Sequence, residues 1–90
     1  MSKTTQQMIE KVCDDIKHKL IEKNKSYGDS AINPIRIFSK ADPDEQLDVR
    51  IDDKLSRVAK GKEYPGDDTI FDLIGYLILK IVNKKLKKED

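Results

Sequence analysis

Apolar residues recur along this chain in three long stretches, each with the period of a helix. In the first, Met8, Ile9, Val12, Cys13, Ile16 and Leu20 fall on one face at roughly 100° per residue. Thr4, followed three residues later by Gln7, is a capping-box pattern, so a helix is predicted from about Thr5 to Lys25. Tyr27-Gly28-Asp29 should end it, with Gly28 as the left-handed terminator. In the second stretch, Leu47, Ile51, Leu55 and Val58 make the stripe. Asp42 can cap, Pro43 takes the first helical position, and Asp44 and Glu45 meet the positive end of the helix dipole. This helix is predicted to reach about Lys60 and stop at Gly61. The third stretch is apolar almost all round: Ile70, Phe71, Leu73, Ile74, Leu77, Ile78, Leu79, Ile81 and Val82. Tyr64-Pro65-Gly66 makes a turn before it, Asp67 is placed to cap it, and it should run to about Lys87.

Between the first two helices lie Ser30 to Ala41. Pro34 interrupts this connector, while Ile32, Ile35, Ile37 and Phe38 make it too apolar to hang free in water. It should pack back as an ordered loop.

Composition agrees with an all-α class. Charged residues are 39% of the chain against 37% hydrophobic, and aromatic strand formers are scarce at three Tyr, two Phe and no Trp. Ninety residues make one helical domain, 1–90, frayed at about 1–4 and 86–90. Eighteen Lys and Arg against seventeen Asp and Glu leave a net charge of +1, which removes the electrostatic case for coating a nucleic-acid polymer. A single Cys, read as a core residue, excludes an intramolecular disulfide framework and suits a reducing cytoplasm. No secretory-type apolar run opens the chain, and Leu77-Ile78-Leu79 is broken by Lys80. A cytoplasmic protein without a membrane partner is expected.

Polar residues that break the apolar pattern point to chemistry. Lys54, seven residues after Leu47, falls inside the stripe of the second helix, with Arg50 and Arg57 beside it and Asp53 just beyond. A lysine there is costly unless it snorkels, meets an acid, or meets an anionic ligand. Three cations at i, i+4 and i+7 suit phosphate oxygens. The third helix has one narrow polar strip, Asp68, Asp72, Tyr76 and Asn83. Asp68 either caps the first turn or holds Mg²⁺ together with Asp72. Asp72, one turn deeper, otherwise pairs with Lys54 or Arg50. His18 reads as a surface residue.

Three strings, Lys23 to Ser30, Arg50 to Arg57 and Asp67 to Tyr76, resemble a family of small phage and bacterial proteins, the first nucleotide modification associated domain. That family is similar in turn to the MazG-type all-α nucleotide pyrophosphatases. The resemblance spans roughly residues 20 to 82. It implies a MazG-like helical bundle built by oligomerisation around a nucleotide ligand. The MazG enzymes hold Mg²⁺ with Glu-Glu-x-x-Glu on one helix and Glu-x-x-Asp on the next. Here the matching positions offer Asp52 and Asp53 among cations, then Asp68 and Asp72 at i+4, which is fewer acids than the hydrolase uses.

The expected function is therefore to hold a phosphorylated nucleotide, cyclic or modified species included, with no cofactor required. Arg50, Lys54 and Arg57 would take phosphate, and Tyr27 would stack on or rim the base. Asp53 and Asp72 would position the cations, and Tyr76 and Lys25 complete the set. In a phage setting this would sequester a host nucleotide signal, in the host cytoplasm, or govern a nucleotide pool. The alternative is a Mg²⁺-dependent pyrophosphohydrolase with Asp53, Asp68 and Asp72 as metal ligands. A third reading is a helical interaction module. Self-association is expected in each case, at least as a homodimer. It would pair third helices through Phe71, Leu79 and Val82, with Gly75 allowing close approach and the ligand site near the boundary.

Overall fold

A computed structural model describes residues 4–28, 32–33, 37–61 and 68–89, and the described residues are helical apart from caps and short connector pieces. Helix α1 spans Thr5–Tyr27, α2 Pro43–Lys60 and α3 Thr69–Glu89. The class is all-α, as expected.

Local signals set the helix ends. The Thr4 hydroxyl accepts the Gln7 N–H at 3.1 Å, and the Gln7 side chain accepts the Thr4 N–H at 2.9 Å. Gly28 closes α1 at φ 63°, ψ −153°, backbone that essentially only glycine adopts. Asp42 accepts the Glu45 N–H at 2.9 Å to open α2. Left-handed Gly61 closes that helix by donating its N–H to the carbonyls of Arg57 and Val58. The start of α3 differs from expectation by one residue. Asp68 is the cap, its carboxylate accepting the Phe71 N–H at 3.0 Å, while Asp67 lies outside the described residues.

Helices α2 and α3 form an antiparallel pair. Asp44 and Asp48 meet Lys80, Arg50 lies over Tyr76, and Lys54 meets Asp72, so partner numbers fall on α3 as they rise on α2. Each helix carries acid near its start and base near its end, as its own dipole favours. Running the two antiparallel therefore sets acid opposite base at two places along the seam. Leu47 is fully buried in this interface region, and Ile51, Thr69 and Asn83 are buried too.

Helix α1 is attached differently. It meets α3 where Gly75 lets Leu20 approach: a Cβ at position 75 would stand 3.1 Å from Leu20 Cδ2. The close approach expected between two third helices is thus used inside one chain. Ile16 is buried, but Met8, Ile9 and Val12 are open to solvent, and Cys13 is exposed rather than in the core. Cys13 does lie on the apolar face, but nothing within the described residues covers it. Leu55 and Val58 of the α2 stripe are also exposed. Of the connector, Ile32 is buried against α1 and α3 as anticipated, whereas Ile37 and Phe38 turn outward, Phe38 to 97% exposure. Pro34 and Ile35 lie outside the described residues. His18 is exposed, in line with expectation. No described helix is long and apolar enough to cross a membrane.

Candidate functional site

The angle at which α1 leaves the Leu20–Gly75 contact opens a cleft of about 280 Å³ between the end of α1, the first half of α3 and one side chain of α2. Three rings line it: Tyr27 from the last turn of α1, and Phe71 and Tyr76 from α3. Three cations line it as well: Lys19 and Lys23 at i and i+4 on α1, and Arg50 reaching over from α2. Asp72 supplies the carboxylate, and Leu20, Gly75 and Leu79 make the apolar floor.

The rings hold the cations in place. Lys19 Nζ stands 5.5 Å from the centre of the Phe71 ring, and the Arg50 guanidinium 5.9 Å from that of Tyr76. Such contacts are worth about 0.5–1 kcal/mol when exposed, enough to orient a long side chain without withdrawing its N–H donors. Asp72 sits between two lysines, 3.5 Å from Lys54 and 3.7 Å from Lys23. The Lys54 side chain is 13% exposed and that of Lys23 is 50% exposed. The buried lysine therefore neutralises Asp72 from the α2 side, and Lys23 keeps most of its freedom to meet an incoming anion. With three cations and one already paired acid, the cleft is positive although the whole chain carries only +1.

The expected site residues are divided by this geometry. Tyr27, Arg50, Asp72 and Tyr76 converge on the cleft. Lys54 does not line it, and acts on it only through Asp72; its place in the apolar stripe is explained by that ion pair. Arg57 turns back along its own helix, 3.3 Å from Asp53, so the basic triad does not form a single clamp. Lys25 borders a separate apolar groove on the other side of α1. Lys19 and Lys23 were missed as site residues. Their spacing of four carried the signal, but on an exposed helix such a pair looks like any solvated face until α3 is laid beside it.

The three proposed metal ligands are engaged separately. Asp53 meets Arg57, Asp68 caps α3, and Asp72 meets the two lysines. Among the described residues no three His, Cys, Asp or Glu side chains converge as a metal site would need.

A second charged cluster joins the far ends of α2 and α3. The Lys80 ammonium donates to Asp48 and lies 3.5 Å from Asp44. The Asp48 hydrogen bond, with help from the Asp44 charge, holds the lysine pKa above its ordinary value of 10.5. This cluster lies away from the cleft and serves the helix pairing.

No known family, curated protein or solved structure matches this chain.

Proposed function

We propose that the cleft holds a small phosphate-bearing nucleotide, with the chain acting as a binder rather than a hydrolase. The observation that carries this reading is the lining of one cleft by three cations and three aromatic rings. Phosphate oxygens take charge-assisted hydrogen bonds from lysine and, in paired geometry, from arginine. A base takes ring stacking, worth about 1–3 kcal/mol per base. The cleft is just below the usual span of ligand pockets, roughly 300–1,000 Å³, so it suits one nucleotide unit rather than a polymer. Lys23 and Arg50 take phosphate in this reading, and Tyr27 covers the base. Lys23, half-exposed beside Asp72, stays available to the ligand.

Separate engagement of Asp53, Asp68 and Asp72 gives the Mg²⁺-dependent pyrophosphohydrolase less support, because hydrolysis needs several carboxylates around one point. Binding without turnover suits sequestration of a nucleotide signal, cyclic species included, or buffering of a nucleotide pool.

The test is equilibrium binding of a panel of linear and cyclic mono- and dinucleotides, with and without Mg²⁺. At least one should bind with a dissociation constant below about 10 μM, equivalent to about 7 kcal/mol. Lys23→Ala and Arg50→Ala should each weaken it at least tenfold. A panel that fails to bind, or pyrophosphate release by the wild-type chain with Mg²⁺, would overturn the proposal.

A further inference from the structure

Opposite the cleft, α3 presents a line of apolar residues that the other described residues leave largely open. Ile70 is 52% exposed, Leu77 45% and Ile81 57%, and Ile74 between them is only partly covered. Their spacing of four, three and four residues is that of a helix-pairing seam. On a helix of 3.6 residues per turn it faces away from Asp72, Tyr76 and Leu79. Lys84 and Lys88 continue the same line and end its apolar part.

The whole chain is also too open for its mass. A folded monomer of 10.4 kDa should expose about 5,400 Å², whereas this chain exposes 7346 Å². Its radius of gyration is 15.1 Å, against about 12 Å for a compact chain of this length. The excess surface, about 2,000 Å², exceeds the roughly 800 Å² per partner that a standard stable interface buries.

We propose that this α3 seam pairs with the same seam of a second copy, antiparallel about a two-fold axis between Ile74 and Leu77. Ile74 of each chain then meets Leu77 of the other, and Ile70 meets Ile81. Charge decides the direction. Parallel pairing would set Lys84 and Lys88 of both chains face to face, whereas antiparallel pairing separates them and opposes the helix dipoles. The pairing uses Leu77 and Ile81 rather than Phe71 and Leu79, both of which line the cleft. It also leaves the two clefts open on the outer faces, each complete within one chain.

The experiment is light scattering at about 100 μM, above the roughly micromolar weak end of standard-size interfaces. The wild-type chain should give at least twice 10.4 kDa. Leu77→Glu should give a single-chain mass with helical circular dichroism retained. Met8→Glu with Val12→Glu, on the exposed face of α1, should leave the wild-type mass unchanged. Should Leu77→Glu fail to fold, cross-linking decides. In a Cys13→Ser background, an Ile74→Cys chain mixed with a Leu77→Cys chain should join to it under mild oxidation. A monomeric wild type, dissociation by the α1 variant instead, or no cross-link between the mixed chains would overturn the pairing. The masses decide it whether or not the cleft holds a nucleotide.

Discussion

The α2–α3 pair and α1 each carry an apolar helix face, yet the pair is the more closed of the two. In the pair, Leu47 and Ile51 of the α2 stripe are buried, and charges that border the seam are met across it. Lys54 reaches Asp72, Lys80 reaches Asp44 and Asp48, and Arg50 lies on Tyr76. On α1 only Ile16 is buried, and the helix is held to α3 mainly around Leu20 and Gly75. A helix attached at one place stands off its neighbour on either side of that place. Here that geometry makes the cleft on one side and an apolar groove, lined by Cys13, Ile16 and Ile78, on the other. The closed pair supplies rigidity, and the loosely attached helix supplies concave surface.

This contrast is sharpest at Leu47, which is fully buried. Leu47→Ala should lose about 2–5 kcal/mol of unfolding free energy in urea titration, whereas Val12→Ala on the open face of α1 should stay within about 0.5 kcal/mol. Equal losses at the two positions would show that α1 is as tightly held as the pair. A finer separation lies between the two lysines that share Asp72. Lys54→Ala leaves a largely buried carboxylate with one exposed partner and should cost about 1–3 kcal/mol. Lys23→Ala should leave stability unchanged within error and affect only ligand affinity.

Inside the pair, Asn83 is buried, and among the described residues its amide nitrogen finds no hydrogen-bond partner. Asn83→Leu should therefore stabilise the chain by about 1 kcal/mol, seen as a higher thermal midpoint. A lower midpoint would mean that the amide is satisfied and structurally needed. The smallest effect concerns pH. The Lys80 pKa is raised in the folded chain, so its contribution is complete below its ordinary value of 10.5 and fades as pH climbs through the raised value. Unfolding midpoints should fall more steeply above pH 10.5 in the wild type than in Lys80→Met.

How the site was divided follows the same line. Tyr27, Arg50, Asp72 and Tyr76 were legible because each borders, interrupts or ends an apolar pattern, even though Tyr27 and Arg50 are exposed. Lys19 and Lys23 were not, because an exposed lysine pair on a polar-rich helix carries no signal until a ring and a carboxylate arrive from another element. Arg57 was grouped with the clamp on helical phase alone, and phase does not show that Asp53 one turn earlier takes the guanidinium first. Cys13 was placed in the core for a related reason. Periodicity identifies an apolar face but not whether anything covers it.

The sequence by itself determined the local architecture: three helices, their caps at Thr4 and Asp42, their stops at Gly28 and Gly61, and the all-α class. Caps and stops depend on a few neighbouring residues, and helical period depends on spacing, so both can be read one segment at a time. The direction of the α2–α3 pair came from the structure, where Asp44 and Asp48 meet Lys80 and Lys54 meets Asp72. What the tertiary structure decided was which faces meet. At the α1–α3 contact Gly75 admits Leu20 closely, since a Cβ there would stand 3.1 Å from Leu20 Cδ2. One close approach between residues 55 positions apart brings Lys19, Lys23 and Tyr27 to Phe71 and Asp72, and no local pattern encodes a contact of that range.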